Sequence, residues 1–229
     1  MTEDETAAAA IDPNKTPDEI VEDIEAAEEA KNIDGVVAYI GLVSSGDKGG
    51  EEDWAEAAEA SLDALYRLVK GGAYDVDGDD DDGEENNLDA LFHLSAVFDC
   101  LDAWEEEDAI VEVGLGCVVA IASKAKKSEP KETTTGDDGD DDDDAPFVNV
   151  ELVLDLMKDF GSESTIQEQA SLAIEGLVLW KTCWKEELAK AEGIREELSA
   201  AKNDRITNER NKSYPVRAAT ALGIDLDES

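Results

Sequence analysis

From residue 17 onward, stretches whose apolar residues recur every three or four positions alternate with short polar or glycine-rich breaks, the pattern of helices laid side by side. The first stretch opens on Thr16-Pro17-Asp18-Glu19. Thr16 can cap, Pro17 suits the first helical position, and Glu19 completes a capping box. Ile20, Ile24 and Ala27 then give a helix over 17–31 one apolar face. Ile33 to Val43 forms a second apolar run, closed by a glycine-rich break. Beyond it, Trp54, Ala58, Leu62, Leu65 and Leu68 make one stripe while Glu56, Glu59, Asp63 and Arg67 face away. That predicts a helix over 54–69, which Gly71 and Gly72 stop.

The design then repeats. An apolar helix is predicted over 86–104, a short acidic break follows, and a second helix covers 109–125. The latter is rich in β-branched residues and contains glycine, so alone it would pass for a strand. Its length and its counterparts before and after it assign it to a helix. A third unit starts at Phe147, breaks at Gly161-Ser162-Glu163-Ser164, and continues as a helix over 166–180. A fourth begins at Ile194, followed by a polar stretch at 203–211 and one more short helix.

Superposing the units tests the repeat. Trp54, Ile110 and Ile166 are spaced 56 residues apart. At that spacing Ala58, Gly114 and Ala170 coincide, as do Ala60, Gly116 and Leu172, then Leu62, Val118 and Ile174, then Leu65, Ile121 and Leu177. Glu56, Glu112 and Glu168 share a polar column. Small residues early and larger aliphatics later suit helices that cross closely. The openings at Ile33, Leu88, Val150 and Ile194 are less evenly spaced, because inserts lengthen the connections, which in a stacked repeat cluster on one face.

The segment STIQEQASLAIEGLV, 164–178, resembles the last long helix of an armadillo repeat, and KEELAKAEGIREEL, 185–198, resembles that family's link into the next repeat. The likeness is good over 149–202, fair over 33–70 and 87–125, and weak after 203. AKNI at 30–33 matches AEGI at 191–194, which makes the first helix the tail of an incomplete preceding repeat acting as a cap. The resemblance implies an all-α fold, a right-handed α-solenoid, and protein binding on its concave face. Family members that bind extended basic peptides carry Asn and Trp ladders there. This chain has Ala64, Ala120 and Gly176 in the Asn column and Ala60, Gly116 and Leu172 in the Trp column, so an importin-like role is not expected.

Charge changes the picture most. Sixty acidic residues against nineteen basic ones give a net charge of −41, a field that repels nucleic acid and anionic membranes and draws basic partners or cations. Eight acids fall within Asp75–Glu85 and seven within Asp137–Asp144, so the predicted acidic loops at about 73–87 and 128–146 hold much of it. This unevenness, with fourteen Lys against five Arg, argues against a whole-surface adaptation to high salt. Residues 1–15 read as a disordered acidic lead-in to a repeat domain over 16–229. With no apolar run of signal or spanning length, a cytoplasmic or nuclear protein is expected.

Candidate chemistry is sparse. Asp75, Asp77 and Asp79 alternate as in a calcium loop, but the sixth position is Asp80 instead of Gly and the twelfth is Asn86 instead of Glu, so no metal site is expected. Thr133 to Thr135 precede acids and could accept an acid-directed kinase. Cys100, Cys117 and Cys183 have neither disulfide nor zinc spacing and read as reduced thiols. His93, the one histidine, lies inside an apolar run and reads as packed. No catalytic motif is present, so neither enzyme activity nor a cofactor is expected. The reading is a scaffold binding another protein or peptide on the face of the helices at 54–69, 110–124 and 166–180. Glu59, Asp63 and Glu175 are the polar contact candidates, and Trp180 and Trp184, four apart, form either an exposed anchor pair or core packing. The rival is an acidic chaperone that holds basic proteins through its Asp-rich loops. The excess of Lys and Arg over 181–217, nine against seven acids, would let those loops fold back on that end, or it is a solvent face laced with salt bridges.

Overall fold

The computed structural model describes residues 12, 15–45, 48, 50–72, 83–128 and 146–226, and within 83–128 the side chains of 89–125. Among the described residues there are ten α-helices and no strand. The expected disordered lead-in lies outside them apart from residues 12 and 15. So do the calcium-loop candidates Asp75 to Asp80, the Thr133–Thr135 cluster and the acids of 137–144.

Helix α1 (Pro17–Glu29) opens as its sequence predicts: the Glu19 amide donates to Thr16 Oγ1 at 3.4 Å, and the Thr16 amide donates to Glu19 Oε2 at 2.9 Å. It ends on Lys31, which adopts a left-handed φ of 55°, with the Asn32 amide donating back to Ala27 O and the Lys31 amide to Glu28 O, both at 2.9 Å. This is a Schellman motif. Asn32 Oδ1 then accepts from the Gly35 amide at 2.9 Å and caps α2 (Ile33–Ser44), so the chain turns from one helix to the next within three residues.

A 3₁₀ turn, Glu52–Trp54, leads into α3 (Ala55–Lys70). Next come α4 (Gly83–Ala103), α5 (Asp108–Ser128), α6 (Leu152–Asp159) and α7 (Ser164–Trp180), followed by α8 (Thr182–Lys190) and α9 (Ile194–Ala200). A π-helical turn, Ala201–Arg205, and α10 (Ser213–Leu222) close the described chain. Helix α4 starts at Gly83, so residues 83–87 of the first expected acidic loop belong to a helix. The β-branched stretch of α5 is helical along its length, as expected from its length and its counterparts.

Helices α1, α3, α5, α7 and α10 form a row in which each packs on the next. Helix α2 packs on α1, α3 and α4; α4 on α5; α6 on α7 and α9; and α8 on α7, α9 and α10. The aliphatic columns Leu62, Val118, Ile174 and Leu65, Ile121, Leu177 are buried without exposed surface, and Ala58 and Ala170 are buried beside them. At the matching Gly114, a methyl group would come within 2.6 Å of Leu101 Cδ2, so glycine there sets how closely α5 meets α4. The polar stretch after 203 departs from expectation in what it leads to. It delivers α10 onto α7, in the place α7 itself takes on α5.

Candidate functional site

One face of the row carries charged pairs that link neighbouring helices. Its two ends are pinned by similar devices. At the first, Arg67 of α3 reaches across to α1, with Nε 2.6 Å from Glu28 Oε1 and Nη2 2.7 Å from Glu28 Oε2, while its Nη1 also contacts Asp63 four residues back. The guanidinium holds the Glu28 carboxyl below its ordinary range. At the second, Arg217 of α10 reaches to α7, with Nε 3.0 Å from Glu175 Oε1 and Nη2 2.6 Å from Glu175 Oε2. Both are two-pronged pairs between adjacent helices of the row.

Between the pins the polar devices disappear. At the repeat spacing of 56 residues, Val119 of α5 stands where α3 has Asp63, Ser123 where it has Arg67, and Ala122 where it has Tyr66. The Tyr66 ring fills the furrow between α3 and α5, lying 3.6 Å from where a methyl group on Gly116 would sit, with the Lys70 ammonium 5.6 Å from its centroid. Ala122 cannot fill the next furrow. There α5 and α7 come closest, a methyl group on Gly176 lying 3.1 Å from Ala122 Cβ. The result is an open groove of about 360 Å³ with Ala122 and Gly176 on its floor, Val119 and Ser123 on one wall, Leu172 and Leu179 on the other, and the Glu175–Arg217 pair across its end. Leu179 keeps 43 % of its surface exposed, one of the few large apolar side chains to do so. Polar groups on the walls are already engaged: Ser123 Oγ donates to Val119 O at 2.7 Å, and Glu175 is held by Arg217.

The expected contact residues divide. Glu59 is exposed on α3, and Asp63 is half-buried against Arg67. Glu175 belongs to the groove, but its side chain is 15 % exposed and its carboxylate is committed to Arg217. Of the two readings of Trp180 and Trp184, core packing is the one the structure has, which removes them from the partner-contact candidates: they are 3 % and 7 % exposed, with ring centroids 5.3 Å apart and planes at 85°. Spacing of four places two side chains on one face of the chain's helical path without saying which face, and here α8 packs back on α7 and α10, which turns them inward. Val119, Leu172, Leu179 and Arg217 are the site residues that the expected set lacks. The first three were within reach, because the column Tyr66, Ala122, Val178 shows a filler lost at the second unit. Arg217 was not, since α10 falls outside the even spacing.

A larger concavity, about 440 Å³, lies beyond α10 between Lys202, Val216, Thr220 and Asp225. Its walls mix opposite charges with small residues and the aliphatic Val216, Ile224 and Leu226, and it is away from the row's α5–α7 furrow. Among the described residues no cluster of three or more His, Cys, Asp or Glu side chains is placed to hold a metal ion, and no helix is long and apolar enough to cross a membrane. No protein-family model, curated protein or solved structure matches the chain.

Proposed function

We propose that the chain is a non-enzymatic protein-binding scaffold, a right-handed armadillo-like solenoid that takes its partner on the face formed by α3, α5, α7 and α10. The observation that carries this reading is the open furrow between α5 and α7. A closed repeat stack has no use for a gap lined by Leu172, Leu179 and Val119, whereas a docking face needs apolar surface that a partner can cover. The 56-residue register shared by α3, α5 and α7 within the row supports the repeat. The cell interior, cytoplasmic or nuclear, is the setting this reading assigns.

Proximity labelling in the protein's own cell tests it with three forms of the full chain: unchanged, Leu179→Arg, and one lacking residues 75–82 and 137–144. Docking on the row face predicts a set of neighbours lost with Leu179→Arg and kept without the acidic runs. The opposite pattern would transfer the function to the acidic runs as holders of basic proteins.

A further inference from the structure

The furrow between α5 and α7 is distinguished from its neighbour by chemistry as well as by shape, and that chemistry selects a class of partner. We propose that the groove receives one face of an amphipathic helix from a partner protein, with aliphatic or aromatic residues seated between Val119, Leu172 and Leu179 and basic residues at the end lying over Glu112 and Glu168. The inference rests on reading the row face as a docking face.

Three observations point to this occupant. The groove walls are apolar, so what enters must bring apolar side chains to replace the water lost. Backbone satisfaction then chooses the partner's secondary structure. An extended segment would need donors and acceptors for its own N–H and C=O groups, but the wall's Ser123 hydroxyl is engaged with Val119 O, the Glu175 and Arg217 side chains hold each other, and the floor is Ala122 and Gly176. A helix satisfies its backbone internally and presents a stripe of side chains at i, i+3, i+4 and i+7, which matches a furrow running between two helices. Charge sets the rest. Glu112 stands two turns before Val119 on α5, and Glu168 one turn before Leu172 on α7, so carboxylates continue the line of the groove toward the start of both helices, Glu112 exposed and Glu168 half-buried with Oε2 accepting from Asn211 Nδ2 at 2.7 Å. In a chain of net charge −41, basic residues at that end of the partner are favoured by the local carboxylates and by the field of the whole molecule. The same field repels a second copy of the chain, which makes self-docking the weaker occupant.

The experiment uses the intact chain and three fluorescent peptides of four helical turns. The first carries Leu at i, i+3, i+4 and i+7 with Lys in one terminal turn. The second replaces its Leu with Ser, and the third replaces its Lys with Glu. Anisotropy gives affinities, and methyl NMR locates the contact. The expected result is that the first peptide binds, shifts the Val119, Leu172 and Leu179 methyl signals, and is weakened by at least about tenfold in Leu179→Arg or Ser123→Arg. Both variants restore on an exposed position the residue type that α3 carries at Arg67, so circular dichroism should be unchanged. Equal binding of the Ser peptide, or indifference to both variants, would overturn the apolar groove in favour of charge alone. Equal binding of the Glu peptide removes the basic end from the proposal. Concentration-dependent self-association of the free chain that Leu179→Arg abolishes would instead make the occupant a second copy. If no peptide binds while Leu179→Arg still loses its labelled neighbours, the helix proposal falls and the docking face stands. If the first peptide binds and labelling is indifferent to Leu179→Arg, the docking face is the part that falls.

Discussion

At the scale of single residues, the clearest stored cost is Lys31. A non-glycine residue at a left-handed φ of 55° pays for its Cβ, and the Schellman bonds to Ala27 and Glu28 hold it there. Lys31→Gly should therefore raise stability, by about 0.5–1 kcal/mol, read as a higher urea midpoint at unchanged slope. A fall in midpoint would mean that Lys31 contributes through its side chain. Gly114 runs the other way. A methyl group would meet Leu101 at 2.6 Å, so Gly114→Ala should cost about 1–3 kcal/mol in spite of its better helix propensity. Thiol chemistry separates core from surface in the same manner. Burial pushes Cys100 up to about 11 and raises Cys117 further, while Cys183 is exposed. A disulfide reagent at neutral pH should titrate one thiol in the native chain and three in denaturant. The signals legible at this scale were those that act locally. Thr16, Pro17 and Glu19 specify a helix start within four residues of one another. Trp180 and Trp184 do not specify their surroundings, because a short-range spacing is silent about which helix packs against it.

At the scale of elements, one polar junction joins two helices of the row and another fastens flanking elements to it, and they differ in kind. The Glu28–Arg67 pair is on the surface, Arg67 being about half exposed, so its worth is at most about 1 kcal/mol. Its pH dependence has a definite sign. The folded carboxyl is depressed, so the contribution is present above the unfolded value of about 4.3 and fades as pH falls through the folded one. Arg67→Met should lower the urea midpoint near pH 7 and converge with the unchanged chain in strong acid. An equal gap at both pH values would assign the loss to packing of the Arg67 stem. The second junction is more enclosed. Gln167, fully buried, donates to Met157 O at 2.8 Å and to Phe160 O at 3.1 Å, and Arg205 Nη1 joins Gln167 Oε1 at 3.3 Å, Met157 O at 3.1 Å and the Glu197 carboxylate. These bonds close the end of α6 and hold the π-helical turn to α7. Arg205→Met would leave buried acceptors unmet and should cost about 1–3 kcal/mol, with hydrogen exchange rising first over 201–206. Element order and type were readable because apolar residues keep a helical period through each stretch and polar or glycine-rich breaks separate the stretches. The place of α10 was not. Even spacing from Ile166 would put the next opening near 222, whereas the helix begins at Ser213. The period of the sequence follows connection length, and packing of α10 on α7 does not depend on it.

At the scale of the whole molecule, an apolar core and a large negative charge pull in opposite directions. The core is continuous from Ile20 on α1 to Leu222 on α10 and is built from aliphatic columns whose burial is indifferent to salt at moderate ionic strength. The charge of −41 repels itself, and that repulsion is screened over about 10 Å at 0.1 M salt. The thermal midpoint of the intact chain should therefore rise as sodium chloride increases from low values, because screening relieves the native state more than the expanded one. Removing residues 75–82 and 137–144 takes away about a third of the net negative charge while leaving every described helix whole. If those runs supply the repulsion, the shortened chain begins with a higher midpoint at low salt and gains less from added salt. Parallel curves for the two chains would place the repulsion on the folded surface instead, in exposed carboxylates such as Glu56, Glu59 and Glu112. The same pair of proteins separates the roles of charge and groove in binding. On the proposed reading the field of the runs would reach a basic partner from a distance, so their loss should slow association and flatten its salt dependence. Leu179 acts only at contact, so Leu179→Arg should shorten the lifetime of the complex at every salt concentration.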